Sequence, residues 1–60
     1  MKIYRHKKRQ TSYAKLGEAL LQSEKPIGEG TVLVVYIAIN GQMWVRPKHE
    51  FEDGRFEEIT

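Results

Sequence analysis

Hydrophobic residues are concentrated in one stretch near the middle of the chain. Residues 31–39 read TVLVVYIAI and residues 42–46 read QMWVR, and such runs of β-branched and aromatic residues are typical of strands. The Asn40-Gly41 pair between them predicts a two-residue hairpin turn of type I′. Pro47 ends the second strand because it has no N–H to donate.

A two-residue turn also sets the register of this hairpin. It places Ile37 opposite Trp44 and Val35 opposite Arg46, with Gln42 on the same face. The opposite face then carries six apolar or aromatic residues, which are Val32, Val34, Tyr36, Ala38, Met43 and Val45. A hairpin buried on one side alternates apolar and polar residues. Since both faces here are apolar, we expect the domain to cover one and a partner or ligand to cover part of the other.

The C-terminal part of the chain shows a second turn signal, Asp53-Gly54. This turn would pair Phe51 with Phe56 and Glu52 with Arg55 in a short hairpin. The segment between the two hairpins is short and polar. It suits a tight turn or a single 3₁₀ turn.

The segment 12–23 is ambiguous by pattern alone. Ser12 is a possible helix cap, and apolar residues fall at helical spacing at Tyr13, Leu16, Ala19 and Leu20. Gly17 opposes a helix at a cost of about 1 kcal/mol relative to alanine. The pattern slightly favours helix here, and the Gly- and Pro-containing stretch 23–30 is a loop on any interpretation.

Length and composition limit the classes of protein. A chain of 60 residues forms one domain, here 1–60, and so small a domain is marginally stable. There is no Cys to form disulfides, and the two His residues lack a zinc-ligand spacing. No metal or cofactor is expected, so homo-oligomerisation is the remaining way to add stability.

Charge is distributed unevenly along the chain. Residues 1–30 carry seven Lys or Arg against three acids, whereas residues 31–60 carry three against five. Most of the excess lies in the basic run Arg5, Lys7, Lys8 and Arg9, which either contacts phosphate or forms a solvated turn. The longest apolar run is far shorter than the roughly 20 residues of a membrane span. We therefore expect a cytoplasmic protein with no membrane contact.

Several segments together resemble a known family: Tyr4-Arg5-His6-Lys7, Val34-Val35-Tyr36, Trp44-Val45-Arg46-Pro47, Glu50-Phe51 and Arg55-Phe56. Their order and content are similar to Domain of Unknown Function 1653, a family of small bacterial and bacteriophage proteins. The shortened segment between Phe51 and Arg55 and the longer loop at 23–30 are closer to phage-type members. The resemblance implies no established activity or catalytic residue.

The resemblance does imply a fold. The family has a strand where this chain has residues 13–22, which would give five strands at 2–6, 13–22, 31–39, 42–46 and 55–59. We therefore expect a mostly β domain, a small five-stranded SH3-like barrel with a tight or 3₁₀ turn before the last strand. Such barrels are common binding scaffolds, although a fold does not fix a function.

The sequence contains no recognisable catalytic motif. No motif pairs a nucleophile with a base, places two carboxylates for acid–base catalysis or forms a metal site. The best candidate for a catalytic residue is His6, and it lacks a carboxylate to orient it. We therefore expect no catalytic residues and no enzymatic activity.

A binding surface needs fewer features, and the predicted strand at 42–46 supplies them. Trp44 offers a stacking surface, Arg46 a guanidinium for phosphate and Gln42 an amide, and the candidate site extends to three residues of the first strand, Tyr4, Arg5 and His6. In the alternative, Trp44 is core and Arg46 reaches the surface or pairs with an acid. We expect a small non-enzymatic binding module for an anionic nucleotide-like ligand or nucleic acid. The alternative is a phage-type interaction protein that docks on or inhibits a host protein, as a homodimer.

Overall fold

The computed structural model describes all 60 residues. Its elements follow the order β1 Ile3–His6, β2 Thr11–Leu20, β3 Val32–Ala38, β4 Met43–Pro47, α1 Lys48–Phe51 and β5 Phe56–Glu58. The expectation of a mostly β fold is confirmed. The sole helix has four residues, and no helix has the length and apolarity to cross a membrane.

All five strands form one antiparallel sheet in the order β4-β3-β2-β1-β5. Strands β1 to β4 follow each other as a meander, and β5 returns to pair with β1 at the other side. Strands β4 and β5 are the two edges and do not pair with each other, so the sheet is open rather than a closed barrel. The predicted tight or 3₁₀ turn before β5 is a single α-helical turn, closed by the Glu52 N–H donating to the Lys48 carbonyl at 3.0 Å.

The strand expected at 13–22 is confirmed as β2, which spans Thr11–Leu20. It pairs with β1 on one side and β3 on the other, and these long-range ladders override the local helical spacing. A register shift between Lys15 and Gly17 leaves one extra residue in β2, a β-bulge. No helix or strand lies between β2 and β3, as the loop prediction required.

The turn between β3 and β4 differs from the predicted type I′ turn. The Gly41 N–H donates to the Ala38 carbonyl at 2.9 Å, and the Ala38 N–H donates to the Gln42 carbonyl at 2.8 Å. These bonds enclose a three-residue loop, in which Gly41 has a φ of 89° and Asn40 has no positive φ. An Asn-Gly pair also suits this loop, because only its last residue must be left-handed.

The longer loop shifts the register by one residue, so the predicted pairing was wrong. Tyr36 lies opposite Trp44 and Val34 opposite Arg46. A shift of one residue turns every side chain of a strand to the other face. Trp44 and Arg46 therefore share the face of the buried residues Val34 and Tyr36, not that of Val35 and Ile37.

The sheet thus has two distinct faces. The inner face carries the core, and four buried hydrophobic residues form it: Val34, Tyr36, Phe51 and Phe56. Helix α1 covers this face by inserting Phe51, whose ring stacks on Phe56 at a centroid distance of 4.3 Å. The outer face has no covering element, and it carries the apolar row Ile3, Ala14, Ile37 and Met43, which are opposite one another across β1 to β4.

The predicted hairpin at Asp53-Gly54 is not present. Phe51 and Phe56 do contact each other, but Phe51 belongs to α1, and β5 pairs only with β1. Arg55 binds Asp53 at 3.1 Å and Glu50 at 3.3 Å rather than Glu52. The Asp53 carboxylate also accepts the Arg55 N–H at 3.2 Å, a local turn that sequence pattern does not distinguish from a hairpin turn.

Candidate anion-binding site

One open concavity of the protein is lined entirely by basic side chains. Its volume is about 420 Å³, and six residues form it: His6, Lys7, Lys8, Arg9, Arg46 and Arg55. We call it the basic concavity. His6 ends β1, the next three residues lie in the β1–β2 turn, Arg46 comes from β4, and Arg55 directly precedes β5. The β1–β2 turn, β4 and the residue before β5 therefore bring positive charge to one place.

The β1–β2 turn is held in place by backbone hydrogen bonds. The Gln10 N–H donates to the His6 carbonyl at 2.7 Å, and the Lys7 N–H donates to the Arg55 carbonyl at 2.9 Å. Gln10 adopts a φ of 58°, in the left-handed region, and its side-chain amide donates to the Lys7 carbonyl. The basic turn is thus tied to β1 and to the start of β5, and it is not a frayed end.

His6 forms the floor of the basic concavity. Its ring is buried and meets the Phe56 ring edge-on at a centroid distance of 4.9 Å, and Nδ1 accepts the Arg9 N–H at 3.2 Å. Burial lowers the pKa of His6 below its usual 6.5, and the nearby cations Arg9, Arg46, Arg55 and Lys8 lower it further. Since Nδ1 accepts a hydrogen bond, the neutral ring carries its proton on Nε2.

Most of the cations around this floor have no acidic partner. Seven ion pairs occur in the structure, and none of them involves Lys7, Lys8, Arg9 or Arg46. Arg46 instead lies with its guanidinium carbon 5.5 Å from the centroid of the Phe56 ring. Only Arg55 is compensated, by Glu50 and Asp53. The basic concavity therefore holds a net positive charge that the protein does not neutralise.

The structure brings two of the six predicted site residues, His6 and Arg46, into this concavity. Tyr4 lies on the inner face, where its ring packs edge-on against Phe51 at 5.0 Å and belongs to the core periphery. Arg5 points to the outer face and binds Glu57, with Nε 2.9 Å from the carboxylate oxygen. Successive residues of a strand face opposite sides, so Tyr4, Arg5 and His6 do not form one surface.

Trp44 and Gln42 lie beyond the basic concavity on β4 and its turn. The side chain of Trp44 is 51% exposed, so it is a surface residue and not part of the core. It lines a second open concavity of about 490 Å³ near the β3–β4 turn. Gln42 is exposed, and its amide donates to the Met43 carbonyl at 3.0 Å.

Part of the lining of the basic concavity lies in the basic run, which by sequence alone is either a phosphate contact or a solvated turn. This run supplies Lys7, Lys8 and Arg9, which were not among the predicted site residues. Arg55 was assigned to a hairpin pair instead, because its place depends on the pairing of β5 with β1. Nothing local in the sequence reveals that pairing.

Comparison with family models, curated proteins and solved structures finds no match to this chain. The resemblance to Domain of Unknown Function 1653 stays a prediction from sequence. We therefore infer the chemistry of the site from its own residues. They offer ammonium, guanidinium and imidazole N–H donors, the groups that bind phosphate and carboxylate oxygens.

Proposed function

We propose that this protein is a small non-enzymatic module that binds a nucleotide-like anion or a nucleic acid in the basic concavity. One observation supports this most directly. Five cations surround a single concavity, and only Arg55 among them has carboxylate partners. Like charges held together repel one another, and a bound phosphate would remove that repulsion.

The donors differ in kind, and the combination suits phosphate. Arg46 is held over Phe56, so its planar guanidinium is oriented before a ligand arrives and can bind two oxygens at once. Lys7 and Lys8 are exposed and contribute compact ammonium charges on flexible stems. Neutral His6 adds a single N–H donor at Nε2. No carboxylate orients His6 as a base, which supports binding rather than catalysis.

The test is binding of a fluorescein-labelled twelve-nucleotide oligothymidylate, followed by anisotropy over a series of salt concentrations. The variant Lys7→Gln/Lys8→Gln removes two charges from the concavity. The control Lys2→Gln/Lys25→Gln removes the same charge elsewhere. Lys2 pairs with Glu58 at the far end of β1, and Lys25 lies in the β2–β3 loop.

We expect the first variant to reduce the slope of log affinity against log salt by about 1.4, because each single-strand phosphate contact contributes about 0.7. The control should leave the slope unchanged. An equal loss in both variants would show that net charge alone attracts the oligonucleotide, and the proposed site would then be wrong.

The outer face supports a second candidate function, docking onto protein, with a second copy of this chain as the occupant. Met43 is 54% exposed and Val45 58% exposed on this face. Both continue an apolar surface with Ile3, Ala14 and Ile37, which line a shallow groove of about 250 Å³. Exposed apolar patches of this kind mark interaction surfaces, and so small a domain gains stability from association.

We also propose that this open sheet is curled into a small SH3-like barrel, whose edge strands β4 and β5 approach each other without pairing. Its support is the contact between Arg46 of β4 and Phe56 of β5, because strong curling of the sheet would bring these two edge strands together. The short helix before the last strand fits the same architecture.

A further inference from the structure

The second concavity adjoins the basic one and differs from it in chemistry. Trp44 and Tyr13 are its aromatic lining residues, and the rest of the lining comes from the start of β2, the end of β3 and the two adjacent turns. We call it the indole concavity. It carries hydroxyl and amide groups but no charged residue.

Two elements connect the two concavities. On β4, Trp44 and Arg46 point to the same face, about 6.6 Å apart along the strand. In the β1–β2 turn, Lys7, Lys8 and Arg9 line the basic concavity while the next residue, Gln10, lines the indole concavity. The two concavities are therefore lined by neighbouring residues of both elements.

Trp44 stands apart from every other aromatic side chain of the protein. The five Tyr and Phe rings with close ring partners pack against one another or against His6, and they are Tyr4, Tyr13, Tyr36, Phe51 and Phe56. Trp44 has no ring partner and is half exposed. A half-exposed indole beside unpaired cations is the arrangement that stacks a base while its phosphates bind nearby.

The number of cations without acidic partners favours a ligand with more than one phosphate. Four cations without acidic partners exceed what one phosphate group requires, so several linked phosphates match the basic concavity better than one. A duplex would supply those phosphates, but its bases stack on one another and are not available to an indole. A free nucleoside triphosphate also carries linked phosphates beside a base, but of the two forms of nucleic acid only the single strand offers adjacent phosphates and an unstacked base together.

We propose, resting on the proposed phosphate-binding function, that the ligand is single-stranded nucleic acid. One base stacks on Trp44 in the indole concavity, and the neighbouring backbone phosphates lie in the basic concavity against Arg46 and the β1–β2 turn. Recognition is tolerant of sequence, because every base has a face that can stack.

The experiment uses the fluorescence of Trp44, the single Trp of the chain. The probes are twelve-nucleotide oligothymidylate, its duplex with oligoadenylate, and inorganic tripolyphosphate. We expect quenching by the single strand alone, since stacking brings a base onto the indole. The variant Trp44→Leu should bind the labelled single strand about 5- to 150-fold more weakly. Trp44→Phe should keep most of the affinity, and Ile27→Ala, at an exposed apolar position in the β2–β3 loop, should change nothing.

Failure of this inference differs from failure of the proposed function. If Lys7→Gln/Lys8→Gln weakens binding while Trp44→Leu and Trp44→Phe bind as the wild type, phosphate binding stands and base stacking is overturned. Quenching by the duplex at equal affinity overturns the preference for single strands. If none of the three probes binds at low salt, both proposals are wrong. Circular dichroism of the Trp44 variants verifies that they fold.

Discussion

The guanidinium carbon of Arg46 lies 5.5 Å from the centroid of the Phe56 ring, although the two residues come from opposite edges of the sheet. The same ring stacks on Phe51 and receives the edge of His6. A core residue, a helix and a charged surface group therefore meet at one aromatic side chain. Arg46 is consequently both a packing residue and the best-oriented cation of the basic concavity.

Because of this double role, Arg46→Ala should lower the free energy of unfolding by about 0.5–2 kcal/mol through loss of the cation–π contact and of stem packing. Urea unfolding measures this change. Arg46→Met keeps an apolar stem and removes the charge, so it should lose less stability and bind oligothymidylate as weakly as Arg46→Ala. If Arg46→Met binds as the wild type, Arg46 only packs and takes no part in binding.

Some of this site could be predicted from sequence, because strand periodicity does not depend on register. Trp44 and Arg46 are two residues apart in a strand, so they share a face in any pairing. Which face they share depends on loop length, and Asn40-Gly41 fits both a two-residue and a three-residue loop. The prediction of a two-residue loop was wrong. It placed Trp44 and Arg46 opposite Ile37 and Val35 instead of Tyr36 and Val34.

The position of Arg55 could not be predicted from the local sequence, because it depends on a long-range strand pairing. The β5–β1 pairing joins residues at least 50 positions apart, such as His6 with Phe56, and the residues next to them in sequence do not specify it. This pairing brings Arg55 to the basic turn through the bond from the Lys7 N–H. The strand identity of β2 came from resemblance, whereas the local pattern favoured helix.

The relative stability losses of two variants in the β3–β4 turn distinguish the observed three-residue loop from a type I′ turn. Gly41 has a φ of 89°, so Gly41→Ala should cost about 1–2 kcal/mol of stability. Asn40→Ala should cost less, about 0.5–1.5 kcal/mol, because it removes only the bond that the Asn40 side chain accepts from the Gln42 N–H at 3.0 Å. Thermal unfolding compares the two. A larger loss for Asn40→Ala than for Gly41→Ala would contradict this turn geometry.

His6 makes the stability of the protein depend on pH. The pKa of His6 is lowered in the folded state by burial and by Arg9, Arg46, Arg55 and Lys8, so the unfolded chain binds a proton more readily. The free energy of unfolding is therefore not reduced by His6 above pH 6.5. It falls as the pH drops from 6.5 through the lower pKa of His6 in the folded state. Urea unfolding at several pH values measures the fall.

Two variants test whether His6 causes this pH dependence. His6→Gln should flatten the curve in that window, whereas His49→Gln, at an exposed position in α1, should leave it unchanged. A bound polyanion should reduce the dependence, because it offsets the cations that disfavour protonated His6. If the His6→Gln protein keeps the wild-type curve below pH 6.5, His6 is not the group responsible.

The outer face gives the last prediction, which concerns self-association. The chain has a mass of 7.0 kDa, and we expect light scattering at micromolar concentration to give twice that value. Val45→Lys places a charge on the exposed apolar surface at edge strand β4, where burial against a second copy would remove it from water at a high cost. This variant should therefore be monomeric. Gln42→Lys adds the same charge at the exposed turn on the inner side and should leave the dimer intact. A wild-type mass of 7.0 kDa at every concentration would show that the outer face does not bind a second copy.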